Sequence, residues 1–215
     1  MHIKFLFLLL LFLSLNIKAQ QLNNSFPFKD GIYRQFDDFK KNNAVQNEIL
    51  NELSFELNPD ENVLMFKAES QKKLDSLTVG QYWGVCINQI PYIKTSDLLD
   101  GRPYFVRLHL IGKISYFYYK AFREKELTMY VHNPYTGEKI GQKNITNRDL
   151  VFVQRMLNFQ SGETIDFTFE NVQKWTKEDT GLAKSLKEMK TNEKEEKLFK
   201  TLLIYNDRNP VMIEK

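Results

Sequence analysis

The side chains best suited to binding chemistry lie on two strands that the sequence places side by side. A two-residue turn at Gly112-Lys113, of the type II′ geometry that glycine favours in its first position, pairs Ile111 with Ile114 and sets each further cross-strand pair by counting outward. One face of this hairpin then carries the candidate binding residues Arg107, His109, Tyr116, Tyr118 and Lys120. Aromatic rings beside cations can stack on a sugar or dock a peptide. Arg107 over Tyr118 would add a cation–π attraction of about 0.5–1 kcal/mol.

This row of residues has two alternative interpretations. A C-terminal helix could cover the face, or the row could be an ordinary solvated sheet surface, because Tyr and Arg are common in exposed strands as well as at interfaces. The charged stretch 174–200 is interpreted as a solvated helix face.

Signatures of catalysis and metal binding are missing from the sequence. Beyond His2, the histidines are His109 and His132, and neither has a second ligand at a spacing that zinc sites use. Cys86 lies between Val85 and Ile87 in a strand pattern, where a free cysteine behaves as a small buried hydrophobe. Serine nucleophile elbows and glycine-rich phosphate loops are also absent. The sequence therefore predicts no catalytic residue, no cofactor and no metal.

Two other functions remain open. A cofactor-free hydrolase acting on envelope material would need converging carboxylates, and Asp97 and Asp100 near Gly101 are the candidates. An inhibitor or immunity-like partner of a secreted toxin is the third hypothesis. Against these, the leading expectation is a non-catalytic protein that binds an envelope protein or a glycan.

The strands that position the candidate row belong to the segment 62–144, whose short runs of Val, Ile, Tyr and Phe predict about six or seven antiparallel strands. The other face of the Gly112 hairpin is predicted to be the core side. It carries Tyr104, Val106, Leu108, Leu110, Ser115, Phe117, Tyr119 and Ala121. A second hairpin is predicted to turn at Asn88-Gln89, with the Pro91 strand at an edge or carrying a bulge. A third turns at 133–137 and completes a meander.

Helices are predicted on both sides of these strands. Ile32, Tyr33, Phe36 and Phe39 recur at helical spacing and predict a short N-terminal helix that ends at Asn42. After the strands, Thr146 is the expected cap of a helix over 147–157 whose apolar stripe is Leu150, Val153, Met156 and Leu157. Three further helices are expected around Val172, Leu186 and Leu202. The fold class is therefore α+β, with a mostly antiparallel meander and a helical C-terminal third.

The first residues have the pattern of an export signal. Lys4 precedes an apolar run over 5–15, and Ala19 offers a small residue for cleavage before Gln20. The run is too short for a membrane span, which takes roughly 20 apolar residues, and no cysteine follows it to accept a lipid. We expect a signal peptide over 1–19 and a protein in the periplasm or outside the cell that is not a lipoprotein.

Composition limits the remaining possibilities. The chain carries 30 Lys and Arg against 27 Asp and Glu, a balance that argues against nucleic acid as a partner. With one cysteine no intrachain disulfide can form, so packing alone must hold the fold. Residues 20–215 are predicted to form a single domain that is strand-rich over 62–144 and helical over 146–206.

Three short stretches resemble a group of uncharacterised exported proteins of the Bacteroidota. They are Asp30-Gly31-Ile32-Tyr33 leading to Asn42, then Tyr82-Trp83-Gly84-Val85-Cys86 with Ile90-Pro91-Tyr92-Ile93, and finally Tyr205-Asn206-Asp207-Arg208-Asn209-Pro210. The sequence differs from the group at Ala44 and Val45, where a proline is frequent. The resemblance implies a cell-envelope setting and supplies no catalytic residue, because the group has no assigned activity.

Overall fold

The computed structural model describes residues 19–44, 55–58, 62–67, 82–99, 102–190 and 194–214; residues 1–18 of the predicted signal peptide lie outside them. The strands are β1 Ala19–Gln21, β2 Gly31–Tyr33, β3 Phe55–Asn58, β4 Val63–Phe66, β5 Gly84–Ile87, β6 Ile90–Leu99, β7 Arg102–Leu110, β8 Ile114–His132, β9 Lys139–Asn158, β10 Thr164–Asp166 and β11 Met212–Glu214. The helices are α1 Phe36–Lys40, α2 Phe169–Trp175, α3 Thr180–Glu188 and α4 Lys194–Arg208.

Most of the strands form one curled antiparallel sheet. Its order is β10-β9-β8-β7-β6-β5-β2, with the β3-β4 hairpin joined to β7, while β1 and β11 make a separate two-stranded sheet. Strands β5 to β10 are neighbours in chain order, so the predicted meander is confirmed. The fold is α+β and mostly antiparallel.

Strand β7 is the point at which the sheet divides. Val106 lies opposite Ile93 of β6 and also opposite Val63 of β4. Because a strand has two edges and β6 occupies one, β4 and β8 must share the other. The pairs between β7 and β8 are Leu108↔Phe117 and Leu110↔Tyr116, near the turn. Beyond Phe117, β8 therefore follows its other partner, β9, away from β7.

The hairpins predicted to turn at Asn88-Gln89 and at 133–137 both form, as β5-β6 and β8-β9. Asn88 and Gln89 have φ values of 53° and 63°, which a two-residue hairpin turn requires when both central residues are left-handed. Of the two alternatives predicted for the Pro91 strand, an edge position is not found because β6 is internal, but β6 does carry a register shift, between Lys94 and Leu98. Pairing with β7 begins at Tyr92, one residue after Pro91, so the missing N–H leaves no gap in that ladder.

The predicted helix over 147–157 is wrong, since these residues belong to β9. Met156 and Leu157 are both buried although they are adjacent, because each face of β9 is covered near the turn into β10. Val153 packs with the cluster that contains Leu157, and Met156 with the helices. When a strand is buried on both faces, its adjacent apolar residues can have the same spacing in the sequence as the apolar side of a helix.

The other predicted helices form, with changes at their ends. The N-terminal helix is shorter than its pattern indicates, because Ile32 and Tyr33 belong to β2 and only Phe36–Lys40 is helical. Thr168 caps α2 by accepting a hydrogen bond from the Asn171 amide. The C-terminal third thus begins with a strand and becomes helical only at Phe169.

Three clusters of buried side chains make the core. The predicted core face of the Gly112 hairpin is buried throughout, and its apolar members pack in the first cluster, inside the curled sheet, except for Leu110. Leu110 belongs instead to the second cluster, where α2, α3 and α4 pack through Val172, Leu186 and Leu202 on the outer face of β8 and β9. The third cluster includes Phe105 and Tyr92.

Candidate functional site

The predicted binding row is brought together only in part. The Tyr118 ring stacks on the His109 imidazole, with centroids 4.2 Å apart and planes at 17°, and its centroid lies 5.1 Å from that of Phe152 of β9. The ring partners of Tyr118 in the described chain are thus His109, Tyr116 and Phe152, not the Arg107 guanidinium that the sequence predicted. We call His109, Tyr118 and Phe152 the aromatic strip.

Tyr116 is removed from this surface by the C-terminal helices. It is 7% exposed, and its ring contacts Phe167 at 4.9 Å and Phe199 of α4 at 5.2 Å. Its hydroxyl donates to Gln154 Oε1 at 2.7 Å. Burial raises the pKa of the phenol to about 12, and the neighbouring Tyr118 adds to the shift. Tyr116 is therefore a core residue, as the covered-face alternative predicted for this position.

A β-bulge and an asparagine position His109. The predicted register holds at Leu108↔Phe117 and shifts by one residue at Leu110↔Tyr116. Asn24 bridges the shift: its Nδ2 donates to the His109 carbonyl at 3.1 Å and its Oδ1 accepts from the Ile111 amide at 2.7 Å. The bulge turns Leu110 toward the helices, while His109 stays on the face of Tyr118.

A second asparagine holds the turn from the opposite end of the chain. Asn206 of α4 accepts from the Ile114 amide at 3.0 Å and donates to the Ile114 carbonyl at 2.9 Å. Gly112 lies against this amide, and a Cβ there would stand 2.5 Å from Asn206 Cγ. The predicted type II′ turn does not form, because the described glycines with positive φ are Gly31, Gly137 and Gly162. Residue 112 must be glycine because the Asn206 amide packs directly against its Cα, where no side chain fits.

The other three members of the row, Arg107, Lys120 and His109, are at least partly exposed. Arg107 is exposed, and Lys120 and His109 are half-buried. Burial lowers the pKa of His109 from its ordinary value, and the positive charge of Arg107 lowers it further. The imidazole Nε2 is buried and has no hydrogen-bond partner within the described residues. A neutral ring stacked on Tyr118 is therefore the stable state of His109 near pH 7.

The aromatic strip continues into a long two-stranded ribbon. Strands β8 and β9 have 19 and 20 residues, and the part between 122 and 150, here called the β-arm, is exposed along nearly all of its length. Its large apolar side chains are open to solvent: Met129 is 55% exposed, Val131 47% and Leu150 46%. The Arg148 guanidinium lies 4.2 Å from the Phe122 ring centre, and Lys139 Nζ 3.6 Å from that of Tyr130.

The residues considered for chemistry are separated. His132 lies at the tip of the β-arm, fourteen residues beyond Tyr118, which at about 3.3 Å per residue places it more than 40 Å from the aromatic strip. The described residues contain no group of His, Cys, Asp or Glu side chains that could hold a metal ion. Asp97 lies in β6, and its proposed partner Asp100 lies outside the described residues.

Cys86 is buried in β5, as its strand pattern predicted. Its Sγ lies 3.5 Å from Asp30 Oδ1. Burial raises the pKa of the thiol, and the Asp30 carboxylate raises it further. The protonated thiol is thus held in an environment that opposes thiolate formation.

Phe152 and Asn24 were missed by the sequence analysis. Phe152 falls in the helix predicted over 147–157, which does not form. The run Val151-Phe152-Val153 has the β-branched and aromatic composition of a strand. Asn24 acts on residues 85 and 87 positions away, and no local pattern indicates such a contact.

Comparison with protein-family models, curated proteins and solved structures finds no match to this chain. Among the described residues, no helix has the length and apolar character to cross a membrane. The resemblance to exported Bacteroidota proteins stays a prediction.

Proposed function

We propose that this is an exported, non-catalytic binding protein whose β-arm and aromatic strip contact a partner protein of the cell envelope. The observation that supports this most directly is the exposure of large apolar side chains on a ribbon of two strands. Phe152 is 56% exposed, and Met129 and Tyr130 are each 55% exposed. A two-stranded hairpin is marginally stable in water, so a surface that covers the arm would stabilise it.

A protein is favoured over a glycan by the shape and chemistry of this surface. Sugars are held in concave sites by a few rings and convergent polar groups, whereas the arm is an extended ribbon. Its distal half carries the aliphatic residues Leu127, Met129 and Val131, all exposed. Apolar side chains at the centre of a polar rim are the usual anatomy of a protein interface.

The edges of the arm offer a second means of recognition. Along most of its length, the ladder partner of each arm strand in the described chain is the other arm strand. The outward backbone N–H and C=O groups can therefore accept an added strand from a partner. The charge pairs Arg123↔Asp149 and Glu124↔Arg148 stand opposite each other across the ribbon and favour this register.

Photo-crosslinking in the native envelope tests the proposal. Benzoylphenylalanine replaces Tyr130 on the arm and, as a matched control, Leu203 of α4, which is 40% exposed. We expect a discrete crosslinked protein from position 130 and none from position 203. The crosslink should disappear in a Met129→Lys/Val131→Lys variant and persist in Leu203→Lys. Equal crosslinking from both positions would contradict the proposal.

A glycan array separates the glycan alternative. Binding of a glycan that is lost in an Arg107→Ala/Tyr118→Ala variant, with no arm crosslink, would transfer the function to the aromatic strip alone. Export is tested independently by mass spectrometry of the protein recovered from the envelope or medium, which should begin at Gln20. Cleavage before Gln20 would keep two of the cross-strand pairs between β1 and β11, Gln20↔Ile213 and Gln21↔Met212.

A further inference from the structure

A cleft of about 340 Å³ opens on the side of β8 and β9 opposite the aromatic strip. Its residues come from five places along the chain: Trp83 before β5, Lys94 and Thr95 in β6, Tyr119 in β8, Arg155 in β9 and Thr164 in β10. Its volume is within the range of sites for small organic ligands.

The aromatic walls of the cleft are held in place by other rings. Trp83 packs against Phe36 at 5.3 Å and Phe39 at 4.7 Å. Tyr119 is 1% exposed and packs edge-to-face on Tyr104 at 5.7 Å. Trp83 is half-buried, so the fixed indole offers a flat surface that needs no rearrangement when a ligand stacks on it.

Two cations line the cleft, and no carboxylate is among its described lining residues. Lys94 Nζ lies 4.3 Å from the centre of the Tyr82 ring. One Arg155 terminal nitrogen donates to the Thr164 carbonyl at 3.1 Å, and Nε lies 3.4 Å from Asp166 Oδ1 without making a hydrogen bond. The Asp166 side chain is 71% exposed, so its pairing with Arg155 is screened by water.

We propose that this cleft binds an acidic sugar, a uronic acid or an oligosaccharide that carries one. The half-buried Trp83 indole receives the C–H face of the sugar, and Tyr119, Thr95 and Thr164 line the cleft around it. The carboxylate pairs with the Arg155 guanidinium, whose planar donors match its geometry. Lys94 adds positive charge. The site is separate from the β-arm and does not depend on the partner-protein proposal.

The test uses the fluorescence of Trp83. The chain has two tryptophans, and Trp175 lies in the helix-packed cluster, so a Trp175→Phe variant leaves Trp83 as the sole reporter. The probes are D-glucuronate, neutral D-glucose as the matched sugar and acetate as the bare anion. We expect a saturable change with glucuronate and affinity weaker by about tenfold or more for glucose and for acetate, because each lacks one half of the recognition.

Variants assign the charge recognition. Lys94→Gln and Arg155→Gln should each weaken glucuronate binding, while Lys187→Gln, at an exposed position of α3, should leave it unchanged. Thermal melting reports whether each variant folds. If Arg155→Gln does not fold, Lys94→Gln decides. No response to glucuronate, equal affinity for glucose, or binding unaffected by Lys94→Gln would overturn the proposal.

Discussion

The contact between Asn206 and the Gly112 turn predicts a strongly coupled pair of substitutions. Asn206→Ala removes both hydrogen bonds to Ile114, a residue that is 1% exposed. An unsatisfied buried backbone group costs about 1–3 kcal/mol. Because Asn206 itself is half-buried and water can reach part of the gap, we expect the free energy of unfolding to fall by about 2–4 kcal/mol for the two groups together.

Gly112→Ala should have nearly the same effect for a different reason. The new Cβ would stand 2.5–2.8 Å from the Cγ, Nδ2 and Oδ1 atoms of Asn206. The amide can avoid it only by leaving Ile114, so the substitution breaks the same two hydrogen bonds. In an Asn206→Ala background the clash is gone, and Gly112→Ala should then cost less than about 1 kcal/mol.

Denaturant unfolding of the four proteins in this double-mutant cycle measures the coupling. We expect the double variant to be about as stable as either single variant, with a coupling energy of about 2 kcal/mol or more. Asn209→Ala is the matched control, because the Asn209 side chain bonds only to the Tyr205 carbonyl of its own helix end among the contacts described. Additive losses in the double variant would refute the steric argument.

Two further predictions concern the titratable side chains of His109 and Cys86. The pKa of His109 is lower in the folded than in the unfolded protein, so the unfolded state binds more protons as the pH falls below about 6.5 and stability decreases. Denaturation at neutral pH and at about pH 5 should show this loss reduced in His109→Gln but not in His132→Gln; equal losses in both would contradict it. Cys86 should react with a thiol reagent only after denaturation, and prompt labelling of the native protein would show that the strand opens.

Much of the strand arrangement could be predicted because its signals are local. The turn residues Asn88 and Gln89 and the alternation around Gly112 assign two hairpins and a core face that is correct except at Leu110. The helix predicted over 147–157 failed because neighbouring residues of β9 are buried on opposite faces. Periodicity records which residues are apolar, but it does not record that both faces of a strand are covered.

Which residues share the proposed binding surface depends on contacts that sequence spacing cannot show. A regular hairpin would leave Tyr116 beside His109 on an open face. The bulge shifts the register at Leu110, and the helices of the C-terminal third then cover Tyr116 together with Leu110. Asn24, in the segment between β1 and β2, makes hydrogen bonds to the His109 carbonyl and the Ile111 amide on either side of the bulge.

Asn24 and Asn206 therefore each hold a different end of the Gly112 hairpin face. Asn206 fixes the turn to α4 and so brings the helices over one end of the face, while Asn24 keeps His109 aligned with Tyr118 at the other end. The ring pair His109 and Tyr118 stays partly exposed between them, and the exposed Phe152 continues it toward the β-arm. Asn24 and Asn206 thus hold the base of the β-arm by four hydrogen bonds, and this is the base from which we propose that the arm contacts a partner.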